Sequence, residues 1–437
     1  MSIKQTLLNK LRTKQAQVAI IGLGYVGLPM AVEFALSGLR VVGIDLDTNK
    51  VDHINRGESY IVDVSTDTLR QLVQDGRLWA TADYSATQNA DAVIICVPTP
   101  LSATKDPDLS YVLSALASLS PYLHPAMLIS LESTTYPGTT VEVLRPSIEE
   151  KGFVVGEEVF LVFSAERIDP ANKKYAFHNT PKVIGGITPA CGEVAYELFQ
   201  MAVEQVVLVS SPTVAEMSKL LENTFRAVNI GLVNEMAVMC DKLGINVWEV
   251  IHAASSKPFG FMPFYPGPGL GGHCIPLDPH YLAWKMRTLH YNVKFIQTAD
   301  EINSAMPAYV VDKVMHALND ERKALNGANV LILGVAYKRD IDDVRESPAL
   351  EVYHLLESKG ATVSYHDPHI AHFRAHNGNV VNSITYSAEA LANADCVVII
   401  TDHSAYDWAH VIENSRLILD TRNASGKLTG KARIIGL

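Results

Sequence analysis

From Gln17 onward, short apolar runs alternate with longer amphipathic stretches. Residues 17–21, 40–45, 91–97, 126–131 and 159–163 are brief, rich in β-branched side chains and nearly continuous in apolar character, and the stretches between them read as helices. Strands buried on both faces have this composition, so the pattern predicts a parallel sheet covered by helices on each side. It returns at 329–333, 362–365, 396–400 and 417–419, which predicts a second doubly wound unit. Both units carry Asn-Ala-Asp immediately before an apolar run, at 89–91 and 393–395, as similar helix-to-strand turns would. Between the units, residues 211–243 have no proline after Pro212 and set Val214, Met217, Leu220, Leu221, Phe225, Val228, Leu232 and Met236 at three- and four-residue spacings. A helix of roughly 30 residues runs about 45 Å, enough to join two domains or to pair with a second subunit. The expected organisation has three parts, 1–210, 211–310 and 311–437.

Composition narrows the class. The 437 residues are 48% hydrophobic and 19% charged, which fits a water-soluble globular chain of more than one domain. A formal net charge of −11 argues against a nucleic acid or an anionic membrane as partner, and an anionic substrate then needs a local basic pocket. Five cysteines, at 96, 191, 240, 274 and 396, lack metal-ligand spacing, and their odd number leaves at least one thiol free. Residues 1–15 hold no apolar segment of the length a secretory signal needs, so a reducing cytoplasm is the expected location. The uncharged stretch 18–32 is short and broken by Gly22, Gly24, Gly27 and Pro29, which fits a buried strand, a turn and a helix better than a membrane span.

The turn in that stretch carries chemistry. Gly22-Leu23-Gly24-Tyr25-Val26-Gly27 follows a strand and opens a helix, the context that makes a dinucleotide-binding reading specific. Gly22 permits the tight turn, Gly24 lets the backbone approach a pyrophosphate, and Gly27 lets the helix pack on the strand. Asp45 ends the next strand, where a carboxylate accepts from ribose hydroxyls and repels a 2′-phosphate, so NAD is expected rather than NADP. Pro98 and Thr99 follow another strand at the edge where ligands of such sheets bind.

A second group of residues centres on Cys274. It closes the loop Pro266-Gly267-Pro268-Gly269-Leu270-Gly271-Gly272-His273, whose uncovered glycines are expected to leave amides for an anion. Cys96 and Cys396 fall in apolar strands and Cys191 and Cys240 in helical segments, where inert core positions are expected, so Cys274 is the candidate nucleophile. Asp278 lies four residues on and shares a face with it if that segment is helical. Lys219 and Asn223 are four apart on the long helix, where a cation and an amide donor could stabilise an oxyanion, and Glu166 stands at a strand exit where a base is plausible. A zinc site from His273, Cys274, Asp278 and His280 is conceivable, but it lacks a structural-zinc spacing and no metal is expected.

With these residues in view the sequence resembles the nucleotide-sugar 6-dehydrogenases across nearly its whole length. The likeness rests on GLGYVGLP at 22–29, CVPTP at 96–100, ESTTYPGT at 132–139, SAERIDP at 164–170, KLLENTFRAVNI at 219–230, PGPGLGGHCIPLDP at 266–279 and GVAYKRDIDDVRESPA at 334–349. It implies two Rossmann-like domains, the first for NAD and the last for UDP, joined by a long central helix and a helical domain that forms a homodimer. It implies Cys274 as nucleophile, Lys219 and Asn223 as stabilisers of alkoxide and oxyanion, Asp278 as partner of thiol and water, Glu166 as base and Thr134 as holder of a water or sugar hydroxyl. Tyr25, Val26, Thr134 and Arg345 join the glycines, Asp45, Pro98 and Thr99 on the cofactor side. Arg167, Lys257, Phe264, Tyr265, Gly267, Gly269, Gly271 and Lys338 join Glu166, Lys219 and Asn223 on the substrate side. Family members often carry an arginine about sixteen residues before the nucleophile; here position 258 is proline and the nearest cation is Lys257.

The implied reaction oxidises the C6 alcohol of a UDP-sugar to a carboxylate with two NAD per turnover, for surface polysaccharide. PFYPGPGLGGHCIP at 263–276 resembles the UDP-N-acetylglucosamine branch, with UDP-glucose, UDP-N-acetylgalactosamine and UDP-N-acetylmannosamine as alternatives. A two-electron β-hydroxyacid dehydrogenase would have no use for Cys274 or the third part, and a catalytically silent sensor would need only the glycines and Asp45.

Overall fold

The computed structural model describes residues 2–437 except 103, 170, 171, 173 and 273. The chain forms two compact units, one of residues 1–222 with 280–291, the other of 223–279 with 292–437. The first division falls inside the helix Pro212–Leu243, so the residues expected as a separate central part are shared between the units.

The first unit is built on eight strands: β1 (Gln17–Ile21), β2 (Arg40–Ile44), β3 (Leu78–Thr81), β4 (Ala92–Ile95), β5 (Met127–Leu131), β6 (Val159–Phe163), β7 (Lys182–Gly186) and β8 (Val206–Val209). Their order is β3-β2-β1-β4-β5-β6-β7-β8, parallel throughout except where β6 meets β7. Residues of β4, β5 and β6 are buried without interruption, which accounts for their unalternating apolar sequences. The patterning missed β3, β7 and β8. β3 is interrupted by exposed Trp79, β7 carries a lysine and two glycines, and β8 is an edge strand with Val207 and Leu208 exposed.

The second unit has a five-stranded parallel sheet, order β10-β9-β13-β14-β15, made of β9 (Asn329–Leu333), β10 (Thr362–His366), β13 (Cys396–Ile399), β14 (Leu417–Asp420) and β15 (Arg433–Gly436). A hairpin of β11 (His372–Arg374) and β12 (Val380–Asn382) is inserted after β10. In each unit the strand order reverses beside the first strand, at β1/β4 and at β9/β13, the switch point where ligands of such sheets bind.

The repeated Asn-Ala-Asp has one structural meaning. Asp91 accepts the amide of Gln17, the first residue of β1, at 3.0 Å, and Asp395 accepts the amide of Asn329, the first residue of β9, at 2.8 Å. Each carboxylate also pairs with a lysine, Lys10 and Lys323. A second correspondence lies at the opposite edge. Asp45, just past β2, accepts the Leu23 amide at 2.9 Å; Asp367, just past β10, accepts those of Val335 and Ala336 at 2.7 and 3.0 Å.

Candidate active site

In the first unit the loop after β1 meets the segment after β4. Gly22 has φ +91°, and a Cβ there would lie 2.5 Å from the Cys96 carbonyl oxygen; a Cβ on Gly27 would run into the Gly22 carbonyl. Gly24 faces open space within 4 Å, which leaves room for a ligand to approach its backbone. The helix Gly27–Leu36 opens without a side-chain cap; its Leu28 amide donates to the Gly24 carbonyl at 3.1 Å and Pro29 has no amide, so the Gly27 amide is the one the first turn leaves for a ligand. These features fit a dinucleotide. Tyr25 and Val26 are half-buried there. Asp45 also accepts from Lys50 at 3.2 Å, so its carboxylate secures the loop as well as standing where ribose hydroxyls are expected. Tyr60, which no motif singled out, donates to the Leu23 carbonyl at 2.6 Å.

Past β4, Pro98 is exposed and Thr99 buried, its carbonyl accepting from Tyr281 Oη at 2.7 Å. Cys96 lies one residue beyond the strand and is partly exposed, a correction to the expectation of a strand-interior residue. Thr134 follows β5 and is half-buried. The turn after it is anchored by Glu216 of the long helix, whose carboxylate accepts the amides of Gly138 at 2.5 Å and Thr140 at 2.9 Å. Glu166 follows β6 and is buried. Its Oε1 accepts the amides of Arg167 and Ile168 at 2.6 and 2.8 Å, and its Oε2 accepts from Lys182 at 3.0 Å. Arg167 pairs with Glu222 at 2.7 Å. Lys219, on the long helix, is 9% exposed and so is not a solvated surface lysine.

In the second unit Asn223, one helical turn beyond Lys219, donates from Nδ2 to Asp278 Oδ2 at 2.5 Å, both residues buried. The helix beyond Cys274 begins at Asp278, so the condition under which the two would share a helical face is not met. The two remain joined by backbone, since the Asp278 amide donates to the Cys274 carbonyl at 2.9 Å. Cys274 is exposed, and none of the five cysteines forms a disulfide. His273, part of the conceivable zinc set, lies outside the described residues.

The glycine loop departs from the expectation of an uncovered backbone. The Gly267 amide donates to Asn234 Oδ1 at 2.9 Å and the Gly272 amide to the Arg345 carbonyl at 3.0 Å, so these two are already used. A Cβ on Gly267 would meet Arg422 at 2.5 Å, and one on Gly271 would meet Tyr337 at 2.7 Å; Gly269, at φ +134°, packs against Pro348. The glycines are needed because side chains press on the loop. Buried Asn234 in turn donates to Asn303 Oδ1 at 2.8 Å, which holds the loop from beneath. Phe264 meets Phe225 edge-on, and Tyr265, largely exposed, stacks on Trp248. Lys257 is exposed over the Phe259 ring, Lys338 is half-buried, and the Arg345 guanidinium lies on Asp343 at 2.6 Å. Asp340, His369 and His403 bring potential metal ligands within 4.8 Å of one another. His403 has both ring nitrogens engaged, one by the Asp340 amide and the other by Asp367, which leaves it no lone pair for an ion.

Comparison with known proteins places these residues in context. Three models of the UDP-glucose/GDP-mannose dehydrogenase family match in chain order: its NAD binding domain at 16–203, its central domain at 213–305 and its UDP binding domain at 331–427. A UDP-N-acetyl-D-mannosamine dehydrogenase of Methanococcus maripaludis is 36% identical over 394 residues, covering 89% of this chain and 87% of that one. An NDP-N-acetyl-D-galactosaminuronic acid dehydrogenase of Ralstonia nicotianae is 36% identical over 416 residues, 93% of this chain and 95% of its own. The solved structure of a UDP-D-ManNAc dehydrogenase from Pyrococcus horikoshii superposes with a TM-score of 0.88 at 32% identity, covering 96% of this chain and 98% of that one.

Proposed function

The chain belongs to the UDP-glucose/GDP-mannose dehydrogenase family of NAD-dependent oxidoreductases, and from that premise we propose a four-electron oxidation at C6 of a UDP-N-acetylhexosamine through an acyl-enzyme on Cys274. The observation that carries this reading is the joining of amide, carboxylate and thiol-bearing backbone in Asn223, Asp278 and Cys274. Bound NAD takes up one hydride, two electrons, so alcohol to carboxylate uses two. Lys219 and Asn223 hold the C6 oxygen as charge develops on it. The Cys274 thiol adds to the aldehyde carbon, which keeps the aldehyde from escaping, and the second oxidation leaves a thioester. Glu166 takes a proton from the attacking water, the C–S bond breaks, and the thiol is regenerated. Thr134 holds a water or the sugar hydroxyl, and Lys338 and Arg345 reach the ligands from the carboxy-terminal part.

UDP-N-acetylglucosamine is the proposed sugar, on the form of residues 263–276. The mannosamine and galactosaminuronic names of the relatives favour a second reading, in which the acetamido group is kept and the configuration at C2 or C4 differs. We also propose a homodimer through the long helix, where Leu221, Phe225, Leu232 and Met239 form one exposed apolar stripe. The test of the reaction is NADH formed per sugar, with the three UDP-N-acetylhexosamines and UDP-glucose in parallel. Two NADH and a uronic acid from an acetamido sugar is the expected result. One NADH per sugar, with released aldehyde, overturns the acyl-enzyme route.

A further inference from the structure

Strands β1 to β6 all end at one edge of their sheet, and β7, antiparallel to β6, begins there. The reversal brings Lys182, the first residue of β7, among residues that follow β5 and β6. Its Nζ donates to Glu132 Oε2 at 2.5 Å and to Glu166 Oε2 at 3.0 Å, and it lies over the rings of Phe177 and Phe199 at 5.3 and 5.7 Å. All three charged side chains are buried. Glu132 Oε1 accepts from Ser130 Oγ at 3.0 Å, and Glu166 Oε1 is held by the two amides described above. The Cys96 thiol also faces the cluster; although the residue as a whole is partly exposed, the thiol itself is buried, which keeps it well above the usual thiol range and therefore neutral.

Two carboxylates and one ammonium carry a charge of −1 when all are ionised, whereas a protonated carboxyl makes the buried set neutral, the form a low-dielectric interior favours. We propose that Glu132, Lys182 and Glu166 act as one proton-transfer unit, in which Lys182 positions the Glu166 carboxylate and Glu132 stores the proton that Glu166 removes from water. This rests on Glu166 being the base for thioester hydrolysis. The water O–H bond breaks and its proton goes to Glu166; Lys182 passes one of its own protons to Glu132 and takes that one from Glu166. The ammonium is restored, Glu166 is again a carboxylate, Glu132 is neutral, and no electrons are exchanged. Two further observations agree. Burial pushes the Glu132 carboxyl up to about 7 even against Lys182, so it exchanges its proton near neutrality. Burial alone would lower Lys182, but Glu132 and Glu166 outweigh it and keep the ammonium charged.

The experiment follows acyl-enzyme on Cys274 by intact mass after acid quench, from pH 5.5 to 9, with whichever of UDP-N-acetylglucosamine, UDP-N-acetylmannosamine or UDP-N-acetylgalactosamine yields NADH. Wild-type hydrolysis is expected to rise with pH through about 7, as Glu132 becomes able to accept a proton. Glu132→Gln should lose that limb, slow hydrolysis ~100-fold and accumulate acyl-enzyme. Lys182→Met should match it, and Lys182→Arg should recover part of the rate. Thermal melts without substrate give a second readout. Folding raises the Glu132 carboxyl above its unfolded value near 4.3, so its contribution to stability falls as pH rises from there to about 7. Glu132→Gln should lack that component, and it decides the matter if Lys182→Met does not fold. Wild-type pH profiles for both hydrolysis and melting in Glu132→Gln overturn the inference while Glu166→Gln blocks hydrolysis. Unimpaired hydrolysis in Glu166→Gln overturns the base reading itself, and the inference with it.

Discussion

Asp278 stands four residues beyond Cys274, where an unengaged carboxylate would oppose formation of a thiolate. Its Oδ2 accepts from Asn223 at 2.5 Å, which shares its charge with an amide. In the proposed chemistry Cys274→Ala should abolish net oxidation, and Cys274→Ser should stall at an ester; equal turnover by wild type and Cys274→Ala would rule out covalent catalysis. Lys219→Ala should lower the single-turnover chemical step by about two to three powers of ten, the scale of roughly 3–4 kcal/mol of oxyanion stabilisation. An unchanged rate removes that role. Asp367 gives a prediction about stability. Burial opposes its charge, but the hydrogen bond from His403 and those from backbone amides hold the carboxyl down at about 2. A depressed acid contributes stability above its unfolded value near 3.9 and loses it as pH falls toward 2, so about 2 kcal/mol should disappear across that window. Asp367→Asn should be less stable at pH 7 and lack this acid limb in denaturant titrations.

At the scale of elements, the two glycines of the first loop separate folding from binding. Gly24 faces open space and Gly27 presses on the Gly22 carbonyl. Gly24→Val should therefore melt near the wild-type temperature yet bind NAD weakly, whereas Gly27→Val should lower melting temperature and binding together; calorimetry with and without NAD separates them. The strands buried on both faces were legible because their runs are almost wholly apolar, Ser130 of β5 being small enough not to break the pattern. β7 was not, since its lysine and paired glycines break the apolar run, and the lysine's reason for being there is a pair of carboxylates far away in sequence. Periodicity records which face a residue takes, not which distant partner neutralises it. For the same reason Cys274, Lys219, Asn223 and Asp278 could be picked out from spacing and family likeness, while Glu132, Lys182 and Tyr60 required the fold. The glycines of the Cys274 loop were legible as glycines, but their cause, packing by Arg422, Tyr337 and Pro348, lies in segments more than sixty residues later.

At the scale of the molecule, the apolar stripe on the long helix predicts its own test. Leu221 is 61% and Leu232 53% exposed, and they lie on one line with Phe225 and Met239. If the proposed dimer forms through this stripe, the double variant Leu221→Glu/Leu232→Glu should halve the mass in light scattering; an unchanged mass would assign the stripe elsewhere. The connectivity of the first unit has a further consequence. Its residues 280–291 return after the whole of 223–279, and they supply Tyr281 to the Thr99 carbonyl, Lys285 to Glu142 and Arg287 to Asp106. On the ribosome, the amino-terminal half therefore emerges long before it can be finished. The segment carrying Pro98 and Thr99 waits for a tyrosine translated about 180 residues later. A nascent chain halted at the end of the long helix, or a gene fragment cut there, holds the glycine loop but not the tyrosine that bonds the Thr99 carbonyl, so the first unit reaches its full set of contacts only after Cys274 has been synthesised.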